Sequence, residues 1–202
     1  MSGHRRRVGI LGGTFDPPHI GHVAVASSVR SALRLDEVLF VVANDPWQKS
    51  PTMRLCSPAD RLAMVEAAVA DIPGLRASAI EIDRGGPSYM VDTLREIAAQ
   101  QPDTELFLIV GADAAAGIGT WERHGELPAL ATLVIVDRPG AGTELSSPLG
   151  QWNLVHVEGP GLEVSSTRLR SQLEQGITSS DLLPPAVVEY IDIHGLYEVN
   201  HV

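Results

Sequence analysis

The sequence predicts an α/β fold of the doubly wound kind, a mainly parallel sheet with helices on both faces. Three observations predict it. Short apolar runs alternate with stretches of helical periodicity along the chain. The runs EVLFVV (37–42), ELFLIV (105–110) and TLVIV (132–136) are apolar without a break, as strands covered on both faces must be. The segments between them suit the right-handed crossovers that parallel neighbours require. Such a Rossmann-like sheet holds its ligands at the carboxyl ends of its strands, near the topological switch point.

Taken in order, 7–11 is a short β-type run followed by a glycine loop and a helix over 20–33. The second strand is 37–42. Ser57 and Pro58 open the next helix as N-cap and first helical residue, with Asp60 in the first turn, and it runs to about residue 70. A third strand is predicted over 75–82, and a helix from Ser88 to just before Pro102. Strands over 105–110, 132–136 and 154–157 follow, with a Gly-, Ser- and Pro-rich loop over 138–150. Ser165-Ser166-Thr167 leads into a helix to about residue 175, and Pro185 opens a terminal one. The chain reads as one domain over 1–202, with a helical C-terminal part from about 165 packed on it. Chemistry is expected in the loops after strands one, two, four and six.

Composition narrows the function. The formal net charge of −10 excludes the basic surface that non-specific nucleic-acid binding needs. No apolar run reaches the ~20 residues that span a bilayer, so no membrane partner is expected. The basic start, Arg5-Arg6-Arg7, is followed by an apolar run broken at Gly12-Gly13, with no cleavage pattern, which reads as cytoplasmic. Cys56 is the sole cysteine and excludes an internal disulfide or a cysteine-built zinc site. Lys49 is the sole lysine among fifteen basic residues. Self-association as a homo-oligomer is allowed by the sequence and not specified by it.

Four constellations carry chemistry. In GGTFDPPHIGH (12–22), Gly12 and Gly13 let backbone amides approach a bulky anion, and the next helix aims its positive end at the same place. His19 and His22 share the first turn of that helix, with Gly21 between them keeping its face open. A metal held by Asp16 and the two histidines lacks a fourth ligand in the sequence. VSSTRLR (164–170) supplies hydroxyls and free amides at a second helix start, with Arg168 and Arg170 nearby. NDPWQK (44–49) offers Trp47 for stacking and Lys49 as a point charge. GADAAAGIGTW (111–121) offers Asp113 to ribose hydroxyls and Trp121 to a heteroaromatic ring.

These motifs resemble a known family. GGTFDPPHIGH is similar to the GGTFDPxHxGH signature of nucleotidylyltransferases of the HxGH type, and VSSTRLR to their late ISSTxxR motif. RGGPSYMVDTL (84–94), GADAAAGIGTW, DRPG (137–140) and DLLPPAVVEYIDIHGLY (181–197) resemble, more narrowly, the bacterial nicotinate-nucleotide adenylyltransferases. His19-Ile20-Gly21-His22 also spells a signature of one class of aminoacyl-tRNA synthetases, for which this chain is too short and too acidic. The resemblance implies adenylyl transfer from ATP to nicotinate mononucleotide, giving nicotinate adenine dinucleotide and pyrophosphate, with Mg²⁺ bound mainly through ATP. It assigns ATP to Gly12, Gly13, Thr14, Phe15, His19, His22, Ser165, Ser166, Thr167 and Arg170, with His19, His22 and Arg170 catalytic. It assigns the mononucleotide to Asn44, Lys49, Met90, Asp113, Trp121 and Arg138. Met90 stands where the family usually has Thr or Ser, whose hydroxyl helps hold the nicotinate carboxylate. Alternative acceptors are nicotinamide mononucleotide and phosphopantetheine; a non-catalytic nucleotide sensor is the alternative of another class.

Overall fold

The computed structural model describes residues 5–46, 55–137, 151–178 and 180–198. Among them a six-stranded sheet runs in the order β3-β2-β1-β4-β5-β6, every neighbour parallel. The strands are β1 (Arg6–Gly13), β2 (Glu37–Val42), β3 (Leu75–Ser78), β4 (Thr104–Gly111), β5 (Thr132–Asp137) and β6 (Leu154–Glu158). The doubly wound, mainly parallel sheet expected from the sequence is therefore the one observed. Its switch point lies between β1 and β4.

Helices cover both faces. On one side α1 (Ile20–Leu33), α2 (Pro58–Val69), α6 (Ser166–Leu173) and α7 (Pro185–His194) pack on Phe40, Val42, Phe107, Ile109 and Val134. On the other, α4 (Met90–Gln100) and α5 (Ala112–Ala116) pack on Ile10, Leu39, Val41, Leu108 and Leu133. Successive strand residues thus serve opposite cores, which is why the runs had to be apolar throughout. The arginines of the basic start are absorbed by folding. Arg6 pairs with the buried Glu37 at 2.9 Å, and Arg7 donates to the Leu33 carbonyl at 2.7 Å and lies over the Phe107 ring. No helix among the described residues is long and apolar enough to cross a membrane.

The register opens the crevice. β1 and β4 pair from Arg6↔Thr104 to Ile10↔Leu108 and then part. Each continues against its outer neighbour, β1 to Gly13↔Val42 and β4 to Gly111↔Val136. The gap between Leu11–Gly13 and the end of β4 is where the loops after those strands face each other.

Three local readings need correction. The strand predicted over 75–82 stops at Ser78, and residues Ile80–Arg84 form the short helix α3. The alternation Ile-Glu-Ile-Asp mimicked a strand, but the Ser78 hydroxyl accepts the Ile80 amide and buried Glu81 accepts the Thr93 hydroxyl at 2.5 Å. Helix α4 begins at Met90, two residues later than predicted, because Ser88 is bonded across to the loop after β2. Its amide donates to the Asp45 carbonyl, and its hydroxyl accepts the Asn44 amide at 2.8 Å. The stretch after β4 is α5 followed by two 3₁₀ turns at Ile118–Thr120 and His124–Ala129, which no periodicity announced. The loop expected over 138–150 lies outside the described residues.

Phe40 has no exposed surface and sits in β2 between the sheet and Phe15. Phe40→Ala should lower unfolding free energy by about 3–5 kcal/mol, with little change in urea m-value. Urea denaturation followed by circular dichroism measures both.

Candidate active site

The loop after β1 turns sharply at Phe15, a non-glycine residue in the left-handed region (φ 50). Glycine at 13 makes the turn feasible: a Cβ there would meet the Phe15 ring at 2.8 Å. The ring itself faces inward, edge-on to His22 and tilted against Phe40. Phe15, expected to line the nucleotide cleft, therefore supports the loop from below with its side chain.

His19 is the N-cap of α1, and His22 lies one turn on. Their rings stack with centroids 3.6 Å apart. The His19 amide donates to His22 Nδ1 at 3.2 Å, so the proton of a neutral His22 ring sits on Nε2. His19 Nδ1 is buried and has no hydrogen-bond partner among the described residues. A Cβ at position 21 would stand 3.0 Å from that nitrogen, so Gly21 is what lets the His19 ring lie against the helix. Burial lowers the His19 pKa to about 4. Burial, and secondarily the neighbouring His19, hold His22 well below 6.5. Both rings are neutral hydrogen-bonding groups at neutral pH.

The start of α6 lies beside the start of α1. The Ser166 hydroxyl donates to the Pro17 carbonyl at 2.9 Å, and Val164 is the next neighbour of Gly21. Ser165 and Thr167 are exposed at this helix end, whose first amides have no partner within the helix. Arg170 is buried: it donates to the Asp16 carbonyl at 2.5 Å and to the Thr167 hydroxyl at 3.3 Å. The structure thus brings His19, His22, Ser165, Ser166 and Thr167 to one place, with Arg170 fastening the first loop to α6.

The opposite side of the crevice is less polar. Met90, at the first position of α4, lies over Gly12, where a Cβ would come within 2.6 Å of its methyl group. Met90 and Trp121 both pack against the core under α4. Asp113 is exposed in the first turn of α5. Asn44 works as a joint, donating through Nδ2 to the Gly86 carbonyl at 2.9 Å while its amide holds Ser88. Trp47, Lys49 and Arg138 lie outside the described residues.

Two residues beneath the loop have structural roles that the sequence did not disclose, Arg61 unnoticed and Asp16 weighed only as a metal ligand. Arg61 of α2 is only 1% exposed and donates to the carbonyls of Thr14 at 2.8 Å, Asn44 at 3.2 Å and Cys56 at 3.1 Å. Asp16 has no exposed surface. Its carboxylate accepts the Tyr197 hydroxyl at 2.6 Å and the Cys56 amide at 3.3 Å, and so is not a partner of the histidines. Among the described residues no group of three acidic, cysteine or histidine side chains is placed to hold a metal.

Two helix N-termini, the glycine end of β1 and two neutral imidazoles thus lie together at this end of the sheet. The sequence pattern of the cytidylyltransferase-like family matches residues 10–172. A Streptomyces coelicolor protein, named a probable nicotinate-nucleotide adenylyltransferase, is 47% identical over 189 residues, covering 93% of this chain and 98% of its own. A Corynebacterium kroppenstedtii protein of the same name is 44% identical over 95% of this chain and 90% of its own. The chain belongs to the nicotinate-nucleotide adenylyltransferases, within the cytidylyltransferase-like family. The fold is shared more widely. Plasmodium falciparum nicotinic acid mononucleotide adenylyltransferase, solved in complex with NaAD, superposes with a TM-score of 0.78 at 18% identity, covering 95% of this chain and 97% of that one.

The buried histidines couple stability to pH. The native protein keeps both rings neutral, whereas the unfolded chain protonates them near 6.5, so acid favours unfolding. The His19 contribution is intact above pH 6.5 and falls away by about 3 kcal/mol as pH drops to 4. Urea midpoints at pH 7 and pH 4 should therefore diverge less in His19→Gln than in the parent.

Proposed function

We propose that this chain transfers the adenylyl group of ATP to nicotinate mononucleotide, giving nicotinate adenine dinucleotide and pyrophosphate. The observation that carries the reading is the stacked His19–His22 pair between the N-termini of α1 and α6, in a chain up to 47% identical to proteins of that name over almost its whole length.

The chemistry asks for positioning rather than for a base. The nucleophile is the 5′-phosphate of the mononucleotide, largely ionised at neutral pH because its second pKa is ~6. One of its oxygens bonds to the α-phosphorus of ATP as the bond to the bridging oxygen breaks, and the electron pair leaves with pyrophosphate. No proton need be removed. Catalysis then consists of holding two polyanions in line and stabilising charge as it shifts to the leaving group.

The residues suit that task. The Nε2–H of His22 is a neutral donor fixed by the bond at Nδ1, so it meets a phosphate oxygen without reorienting. The arriving negative charge raises the proton affinity of both rings and strengthens the contact. Ser165, Thr167 and the amides at the start of α6 hold the outer phosphates, with the backbone at Gly12, Gly13 and Thr14 beside them. Arg170 contributes by keeping α6 against the Asp16 carbonyl. Mg²⁺, expected as the counter-ion of ATP, would be held mainly through the nucleotide and would help neutralise phosphate charge. Asp16, the first loop's own carboxylate, is turned inward onto Tyr197 and Cys56.

Met90, Asp113 and Trp121 flank the acceptor side, with Asn44 shaping it and Lys49 and Arg138 as its cations. Since Met90 offers no hydroxyl, acid recognition at the pyridine ring falls to backbone amides near Trp121. The same reading takes the chain as one domain, supported among the described residues by the core that α6 and α7 share with β1, β2 and β4.

Pyrophosphate release from MgATP is expected with nicotinate mononucleotide, well above the rate with the amide form or phosphopantetheine. Equal use of the amide would make Met90 a specificity change, and silence with all three would favour a nucleotide sensor. His22→Ala should reduce kcat by about 10²–10³-fold, the scale of one preorganised donor. A loss within about threefold would remove His22 from the mechanism.

A further inference from the structure

We infer that the C-terminal tail is part of the machinery that sets the ATP-side loop, with Tyr197 a positioning residue acting through the buried carboxylate of Asp16. The inference rests on the adenylyl-transfer reading above and deepens it.

Asp16 is joined to three distant parts of the chain. Its Oδ1 takes the Tyr197 hydroxyl at 2.6 Å, its Oδ2 the Cys56 amide at 3.3 Å, and its carbonyl an Arg170 nitrogen at 2.5 Å. It has no contact with solvent. A carboxylate buried to that degree needs hydrogen bonds to its oxygens, and one of the two it makes is to the phenol. The cation of Arg61 supports it electrostatically from below.

The tail is shaped to deliver that phenol. Helix α7 ends at Gly195 (φ 58), whose amide and that of Leu196 close on the Asp192 and Ile191 carbonyls. Tyr197 follows with φ 66, a left-handed conformation that a bulky side chain adopts at a cost. The bend brings its hydroxyl onto Asp16 and within 3.9 Å of Met64 Sδ. The same C-terminal segment reaches α1 directly, since the Leu182 carbonyl accepts the Ile20 amide at 3.1 Å. Asp16 and Ile20 bracket the residues that present His19.

Removing the phenol hydroxyl leaves a buried carboxylate oxygen without its donor. The loop must then shift or admit water to satisfy it, and His19 and His22 move with the loop. A comparison is built into the same segment. Tyr190 is also partly buried and donates to Asp60 Oδ1 at 3.1 Å, on α2 rather than on the first loop. Tyr190→Phe therefore removes a tyrosine hydroxyl bond without touching Asp16.

The test compares Tyr197→Phe and Tyr190→Phe with the parent, using full-length protein. ATP affinity is measured by calorimetry in Mg²⁺, with kcat and the KM of each substrate in the pyrophosphate assay. Tyr197→Phe is expected to lower kcat by about 10–100-fold and weaken ATP, while the KM for nicotinate mononucleotide stays within about twofold. Tyr190→Phe should retain parental kcat and ATP affinity. Parental kcat and ATP affinity in Tyr197→Phe, with only Tm lowered, would overturn the inference. So would equal losses in the two variants. A parent that binds ATP but does not turn over nicotinate mononucleotide would sink the functional reading alone, since ATP titration of the two variants still decides the role of Tyr197.

Discussion

The guanidinium of Arg61 is the interaction on which the site rests. It lies almost wholly inside the protein and holds the carbonyls of Thr14, from the loop after β1, and of Asn44 and Cys56, both from the connection between β2 and α2. Burial lowers its proton affinity and the nearby Asp16 carboxylate opposes that, so the charge is retained. A planar fork reaching three acceptors is a geometry that an ammonium on a flexible stem does not reproduce. The loops after β1 and β2 are neighbours on one side of the gap between β1 and β4, and Arg61 ties them together from underneath.

This arrangement reconciles an acidic protein with an anionic substrate. The chain carries a formal charge of −10, yet the crevice draws its attraction from helix ends and backbone amides rather than from a basic surface. The histidines fit the same logic. Holding them neutral avoids two like charges with ring centroids 3.6 Å apart in the ligand-free protein.

What the sequence disclosed follows the range of the forces involved. The sheet and most helices were legible because burial on two faces writes continuous apolar runs, and the start of α2 because Ser57 and Pro58 cap it locally. The phosphate loop was legible because its glycines and histidines are neighbours in the chain. The 80–84 helix was misread, since alternation in Ile-Glu-Ile-Asp is outweighed by a bond from Thr93 that no local pattern records. Asp16 could be read only as a candidate ligand, because its partners at Cys56 and Tyr197 are 40 and 181 residues away. Arg61 gave no signal at all: one arginine among the alanines of α2 reads as an exposed charge. Asn44 and Phe15 were placed in the right loops with their side chains assigned to the ligand, whereas they hold the loops themselves.

The two prolines of the first loop acquire a physical reason on the same accounting. The carbonyls of Asp16 and Pro17 are captured by Arg170 and Ser166. Each of those peptide units is followed by a proline, at 17 and 18, so neither carries an N–H that would need a partner of its own. With the Thr14 carbonyl on Arg61, three acceptors of the loop are engaged by donors from α2 and α6. On the proposed reading, an anion at His19 and His22 would meet a loop in which these three carbonyls are already engaged. The residues that stiffen the backbone and those that hold it in place work toward a single electrostatic result.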